Sequence, residues 1–203
     1  MSCIKIDIDP AQNKVRVWNN GKGIPITIHK DQGCYVPEMI FGQLLTSSNY
    51  NDTDKKVTGG RNGFGAKLAN IFSTKFVIET ADSKHKKKYR QVFKKNMSQK
   101  EDPVIEPNSS EDFTAITFYP DLKRFNMEEM DTDIVALMTK RAYDLAGVTD
   151  AKVKIFLNGE RIQIKNFEEY CDMYLKIDEN KELPKIVESK NERWNIIASL
   201  SDG

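Results

Sequence analysis

The stretch VTGGRNGFGAKLANIF, residues 57–72, constrains this chain more than any other. Four glycines (Gly59, Gly60, Gly63 and Gly65) and then Lys67 lead directly into an apolar helical pattern. Such a run frees the backbone to turn its N–H groups toward one point, and the helix behind it adds a partial positive charge at its N-terminus. Both features suit an anion, above all a phosphate. The two commonest phosphate loops do not fit. A Walker loop needs lysine directly after its second glycine and a hydroxyl after that, whereas Gly65 is followed by Ala66, Lys67 and Leu68. The dinucleotide pattern fails because Leu68 stands in the place of its third glycine.

Around this loop the hydrophobic pattern predicts alternating strands and separate helices. Ile4, Ile6 and Ile8 alternate with charged residues, PAQNK turns, and Val15 and Val17 follow as the second arm of a hairpin. From Pro37, Ile40, Phe41, Leu44 and Leu45 fall on one helical face; from Gly65 or Ala66 a second helix turns Leu68, Ile71 and Phe72 inward. Residues 75–82 and 87–95 read as strands joined by a lysine-rich turn, 98–112 as a polar connection and 113–120 as a strong strand. The clearest helix spans 130–147, with Asp131 or Thr132 as cap and Gly147 as stop. Asn158-Gly159 marks a hairpin within 152–164, 167–175 a short helix, and 185–200 another hairpin. The expected fold is α+β, two layers with helices on one face of a mostly antiparallel sheet.

Composition narrows the partners. The net charge of +1 gives no global field for nucleic acid, so any such contact requires a local patch. The twelve residues KHKKKYRQVFKK, 84–95, are the one candidate, equally readable as a solvated strand edge guarded by lysines. The three cysteines are scattered, which suggests neither a disulfide framework nor a zinc site and fits a reducing compartment. No apolar run approaches membrane-spanning length. His29 and His85 have no acid or cysteine at a telling spacing, and Glu38 and Glu79 lie in periodic segments with no catalysis assigned.

Three loops carry the chemistry. In NNGKGIP, 19–25, Gly21 and Gly23 permit close backbone approach to a flat ligand, and the Asn19 amide oxygen can accept from an adenine amino group. In TSSN, 46–49, two hydroxyls and an amide suit ribose or phosphate oxygens, or equally a helix end. In the glycine loop, Arg61 and Lys67 add positive charge.

Taken in order, NNGKGIP, IFGQLLTSSNY and KKVTGGRNGFGAKLANIFSTKF closely resemble the ATP-binding region of the eukaryotic type II DNA topoisomerases, in the gyrase-like (GHKL) ATPase family. The likeness continues through DIVALMTKRAYDLAG, VKIFLNGERI and YCDMYLK. A chaperone or mismatch-repair ATPase of the same family would lack the IFGQLLTSSNY run; a non-catalytic nucleotide-binding or dimerisation module is the alternative from another class. The resemblance implies a two-layer Bergerat fold followed by the start of a transducer (ribosomal-S5-like) domain, divided as 1–165 and 166–203. It implies that Asn19 reads adenine, that Ser47, Ser48 and Asn49 hold ribose and phosphates, and that Gly60, Arg61, Asn62, Gly63, Phe64, Gly65, Ala66 and Lys67 wrap the triphosphate. It also implies ATP and Mg2+ as cofactors, double-stranded DNA as partner, a homodimer, no membrane, and the nucleus as location with an organellar form left open. In the family the general base and a magnesium-binding asparagine precede the first hairpin, a γ-phosphate lysine comes from the transducer, and the DNA-cleaving tyrosine lies in another domain. The expectation is therefore that this chain holds no catalytic residue and no metal ligand, and that by itself it does not hydrolyse ATP efficiently.

Overall fold

The computed structural model describes residues 1–46, 60, 62–108, 111–178, 181–191 and 194–200. The chain opens with the expected hairpin, β1 (Cys3–Asp9) and β2 (Lys14–Asn19), paired antiparallel with Ile4 opposite Asn19, Ile6 opposite Val17 and Ile8 opposite Val15. The connecting turn is a short 3-10 helix over Pro10–Gln12, capped by the Asp9 side chain accepting from Gln12 N and closed by Asn13 at φ 47°. Next come α1 (Val36–Gly42) and α2 (Gly65–Ile71), then β3 (Ser73–Asp82), β4 (Lys87–Lys94), β5 (Gln99–Lys100), β6 (Val104–Pro107) and β7 (Phe113–Pro120). The chain continues with α3 (Thr132–Val148), β8 (Lys154–Leu157), β9 (Glu160–Arg161), α4 (Phe167–Leu175), β10 (Lys176–Asp178), β11 (Lys181–Glu182), β12 (Lys185–Asn191) and β13 (Trp194–Ser199).

One sheet of nine strands, ordered β5-β4-β3-β7-β2-β1-β8-β9 with β6 also on β4, forms the floor of the molecule. Its pairings are antiparallel except between β1 and β8, which run parallel. Register sets the faces. Across β2, β7 and β3, Val15, Phe118 and Phe76 form one row, and Val17, Ile116 and Ile78 the next. These apolar rows face the helices, because a strand turns alternate side chains to one side. Over β3 and β4, Phe41 of α1 and Ile26 join Phe76, Ile78, Tyr89 and Phe93. Over β1 and β8, Ala142 and Ala146 of α3 pack on Ile4 and Ile155. Fully burying each Ile or Phe side chain contributes about 1.5–3 kcal/mol, so these clusters fix which face the helices cover.

The helices differ from expectation in instructive ways. α1 ends at Gly42; Leu44 and Leu45 lie beyond it and are exposed, with Leu45 at φ 59° turning the chain away. In α2 the inward residues are Lys67 and Asn70 with Ala69 on the core, while Leu68 is 45% exposed. A helix of seven residues is marginal alone, and tertiary bonds hold it: Asn70 Nδ2 donates to Phe41 O at 3.0 Å and Ser73 Oγ to Ala69 O at 2.6 Å. Gly147 does not stop α3; it lies inside the helix, where an added Cβ would meet the Tyr170 ring of α4 at 2.5 Å. Small size at Gly147 thus admits α4. The connection at 98–112 contains β5 and β6, which flank β4.

Candidate functional site

The helix-covered face of the sheet changes character in its last row. Beyond Val17, Ile116 and Ile78 the next inward positions on β2, β7 and β3 are Asn19, Thr114 and Thr80, which are cross-strand neighbours. Thr80 Oγ1 donates to Phe113 O at 2.9 Å, stands 3.0 Å from Thr114 Oγ1 and accepts from Ile24 N at 3.0 Å. Asn19 Oδ1 accepts from Gly21 N at 2.9 Å, and an amide oxygen has capacity for a second donor. A polar seam therefore closes an apolar floor. Thr80 and Thr114 are absent from the sequence reading, although their signal was available: each places a hydroxyl where strand alternation calls for an apolar side chain.

The loop after β2 lies tightly on the end of β3. At Gly23 an added Cβ would fall 1.7 Å from Ala81 O, and at Gly21 it would fall 2.8 Å from Asn19 Oδ1. Glycine is required here by close approach.

The second glycine loop stands above the same face. α2 packs on β3 and β7, and Phe72 alone separates its last residue, Ile71, from Ser73, where β3 begins. At ordinary rises per residue, β3 spans about 23 Å from Ser73 to Thr80 and α2 about 10 Å. Gly60 and Gly63 adopt φ +81° and +66°, a region that favours glycine. Phe64 precedes the helix with no side-chain cap, so the first-turn N–H groups at Gly65, Ala66 and Lys67 lack intrahelical acceptors. Asn62 and Ala66 are exposed. Ser47, Ser48, Asn49 and Arg61 lie outside the described residues.

Lys67 joins these parts. Its side chain is 2% exposed, and its Nζ donates to Thr46 O and to Gly63 O, both at 2.9 Å. The ammonium therefore ties the entry of the 47–49 stretch to the glycine loop. Burial pushes its pKa below the usual lysine range.

No family model matches the chain. Among known proteins, it is 54% identical over 208 residues to DNA topoisomerase 2 of Arabidopsis thaliana, covering 100% of this chain and 14% of that protein. It is 53% identical over 205 residues to human DNA topoisomerase 2-alpha, again covering 100% of this chain and 13% of that protein. The chain is a homologue of the eukaryotic type II DNA topoisomerases. The solved ATPase region of Saccharomyces cerevisiae topoisomerase II superposes with a TM-score of 0.93 at 46% identity, covering 99% of this chain and 52% of that one. The ATPase and transducer domains of DNA topoisomerase II from Balamuthia mandrillaris give 0.88 at 42% identity, covering 97% and 49%. The two-layer fold is thus that of the topoisomerase II ATPase region. The chain spans about one seventh of the length of these curated relatives, 14% and 13%.

Relative to this topoisomerase-like site, the other sequence candidates fall elsewhere. Glu38 is buried on α1, bound by Lys100 Nζ at 2.5 Å and by Gln91 Nε2 at 2.8 Å, with Tyr89 Oη donating to Gln91 Oε1 at 2.6 Å. That is a satisfied structural network. Lys88, Arg90 and Lys94 alternate with the inward Tyr89, Gln91 and Phe93, so they occupy the sheet's other face, where Lys94 pairs with Glu101 at 2.5 Å. His85 does have an acid partner: its Nδ1 meets Asp82, three residues earlier, across the β3–β4 turn. Among the described residues, no group of three or more His, Cys, Asp or Glu is arranged to hold a metal.

Proposed function

We propose that this chain is the nucleotide-binding part of an ATP-dependent type II DNA topoisomerase. The observation that carries the reading is the Lys67 bridge. By tying Thr46 O to Gly63 O it brings Thr46 and the glycine loop together at the head of α2, above the same sheet face that ends in Asn19, Thr114 and Thr80. The adenine lies on that polar row, its amino group donating to Asn19 Oδ1. The triphosphate lies under the loop from Gly60 to Lys67, held by main-chain N–H groups and by Arg61, with Ser47, Ser48 and Asn49 on ribose and phosphate oxygens. Positive φ at Gly60 and Gly63 fits such a cradle.

Magnesium, when bound with ATP, neutralises phosphate charge. On the family resemblance, no residue of this chain is assigned as its protein ligand. The residues of this chain bind and orient the nucleotide. In the whole protein, ATP favours the closed form of a homodimer through its higher affinity for that form, and closure captures a DNA duplex. The main sheet ends at Arg161, which supports a boundary near residue 165 between the ATPase domain and the start of a transducer. Among the described residues no helix is long and apolar enough to cross a membrane. The nucleus is the location proposed, from the likeness to eukaryotic DNA topoisomerase 2.

The test is calorimetric titration of ATP into the protein and its Asn19→Ala variant. A loss of about tenfold or more in affinity, the scale of one well-placed hydrogen bond, is expected. Equal affinity in both would remove Asn19 from the site.

A further inference from the structure

Asp82, at the last position of β3, is 5% exposed and faces the loop that follows β2. Its Oδ2 accepts from Ile26 N at 3.1 Å and meets His85 Nδ1; its Oδ1 accepts from Lys84 N at 3.1 Å and His85 N at 3.3 Å. Burial pushes this carboxyl up, but the His85 ring and the main-chain N–H groups of Ile26 and His85 outweigh it and hold the group below the usual carboxylate range. It is an ionised carboxylate with donors on both oxygens. Ile26 itself is 0% exposed, so its N–H has no recourse to water.

Two anchors reinforce the same place. Thr80 Oγ1 holds Ile24 N, and Asp112 accepts from Ser83 N at 2.6 Å. Hydrogen bonds from Ser83 and then from Gly23 keep the Asp112 carboxyl below its ordinary range. The loop's other end is fixed by the β2 ladder at Asn19 and by Asn20, whose Oδ1 accepts from Ser2 N and Cys3 N at 2.9 and 2.8 Å. Residues 21–25 are therefore suspended between two fixed points, one of them a buried charge.

We infer that Asp82 is a positioning residue for the base end of the nucleotide site: through Ile26 it clasps the Gly21–Gly23 loop against β3 and so sets the depth and orientation of the adenine pocket. The inference rests on the ATP reading above. It touches no ligand; it acts through the loop. Asp82 differs in kind from Asn19 because its substitution leaves every assigned ligand contact in place. It differs from a general stability residue because its hydrogen bonds are confined to Ile26 and the β3–β4 turn.

The test uses the intact protein and its Asp82→Ala and Asp82→Asn variants, followed by amide hydrogen exchange and by calorimetry with ATP and GTP. Asparagine keeps one acceptor oxygen and can satisfy only one side of the clasp, so it should fall between wild type and alanine. Exchange is expected to quicken at residues 20–28 while α2 and the β1–β2 ladder keep wild-type protection. ATP affinity should fall by about tenfold in Asp82→Ala, the scale of a buried hydrogen bond, and the preference for ATP over GTP should narrow. A folded Asp82→Ala variant with wild-type ATP affinity overturns the inference. So does an equal loss for both nucleotides with exchange raised throughout the molecule, since that is a purely structural role. If Asp82→Ala does not fold, Asp82→Asn decides alone: wild-type affinity and selectivity in that variant overturn the inference. Failure of the unsubstituted protein to bind ATP is a separate result, which overturns the ATP reading itself.

Discussion

At Gly23 an added Cβ would stand 1.7 Å from the carbonyl oxygen of Ala81, whereas at Gly60 it would meet nothing within 4 Å. The two glycine loops of this chain therefore use the residue for opposite reasons. After β2, glycine lets one main chain press against another, and Thr80 and Asp82 fasten the loop once it is there. Before α2, glycine supplies positive φ at Gly60 and at Gly63, in open space at Gly60, and the Lys67 bridge fastens Gly63. The first loop is a preformed wall suited to a rigid, flat base. The second keeps main-chain donors and room above them, which suits an anionic chain that must be enclosed after it arrives. A site built this way pays little ordering entropy at one end and accepts adaptation at the other.

The contrast can be broken most decisively at Gly23. Gly23→Ala sets a Cβ against the β3 backbone at Ala81 and Asp82, where no side chain can yield; a loss of several kcal/mol in urea unfolding is expected. Gly60→Ala meets no such contact and should lose only about 1 kcal/mol, from its positive φ. Equal losses in the two variants would erase the distinction. Next in size, Lys67→Met keeps the stem but leaves Thr46 O and Gly63 O without their shared donor, which should lower stability by about 1–3 kcal/mol and ATP affinity by about tenfold. Unchanged affinity by calorimetry would show that the bridge does not organise the cradle.

Gly65→Ala sharpens the comparison at smaller scale. The site is open and sits at the first position of α2, so thermal stability should hold or rise by up to about 1 kcal/mol while ATP affinity falls, because the added methyl narrows the approach to the N–H groups. A drop in melting temperature with intact affinity would contradict both halves. The smallest effect is expected at the α3–α4 contact, remote from both loops. There Lys140, then Tyr170 and Arg141, hold the Asp144 carboxyl at about 2, below its ordinary 3.8. A carboxyl with a depressed folded pKa stabilises above its unfolded value and loses that contribution as pH falls through the folded one. The α4 contact should therefore weaken between about pH 3.8 and 2, read by exchange of the α4 amides, and Asp144→Asn should weaken it at neutral pH with ATP affinity unchanged.

Much of the floor was legible in the sequence because strand alternation and turn chemistry are local. The β1–β2 hairpin, β7, the Asn158-Gly159 turn and α3 with its Asp131 cap, which accepts from Ile134 N at 2.9 Å, all follow from neighbours a few residues apart. The parallel pairing of β1 with β8 was not legible, since it joins residues about 150 apart and no short-range pattern encodes it. The helix faces failed for a different reason. Periodicity assigns Leu68 inward and Lys67 outward, but Lys67 finds two carbonyls, one four residues back at Gly63 and one from the distant Thr46, and that specific pairing overrides hydropathy. Likewise Asp82 and His85 look like members of a charged surface turn until the loop after β2 is laid beside them. Of the site, the glycine loops and Asn19 were readable as chemistry, whereas Thr80, Thr114 and Asp82 became readable only once register brought three strands together.

The most direct test is a crystal structure of the protein with a non-hydrolysable ATP analogue. The account requires the adenine over Asn19, Thr114 and Thr80, with the phosphates within hydrogen-bond reach of main-chain N–H groups between Gly60 and Lys67. An analogue bound elsewhere, or bound with its phosphates turned away from that loop, would contradict it.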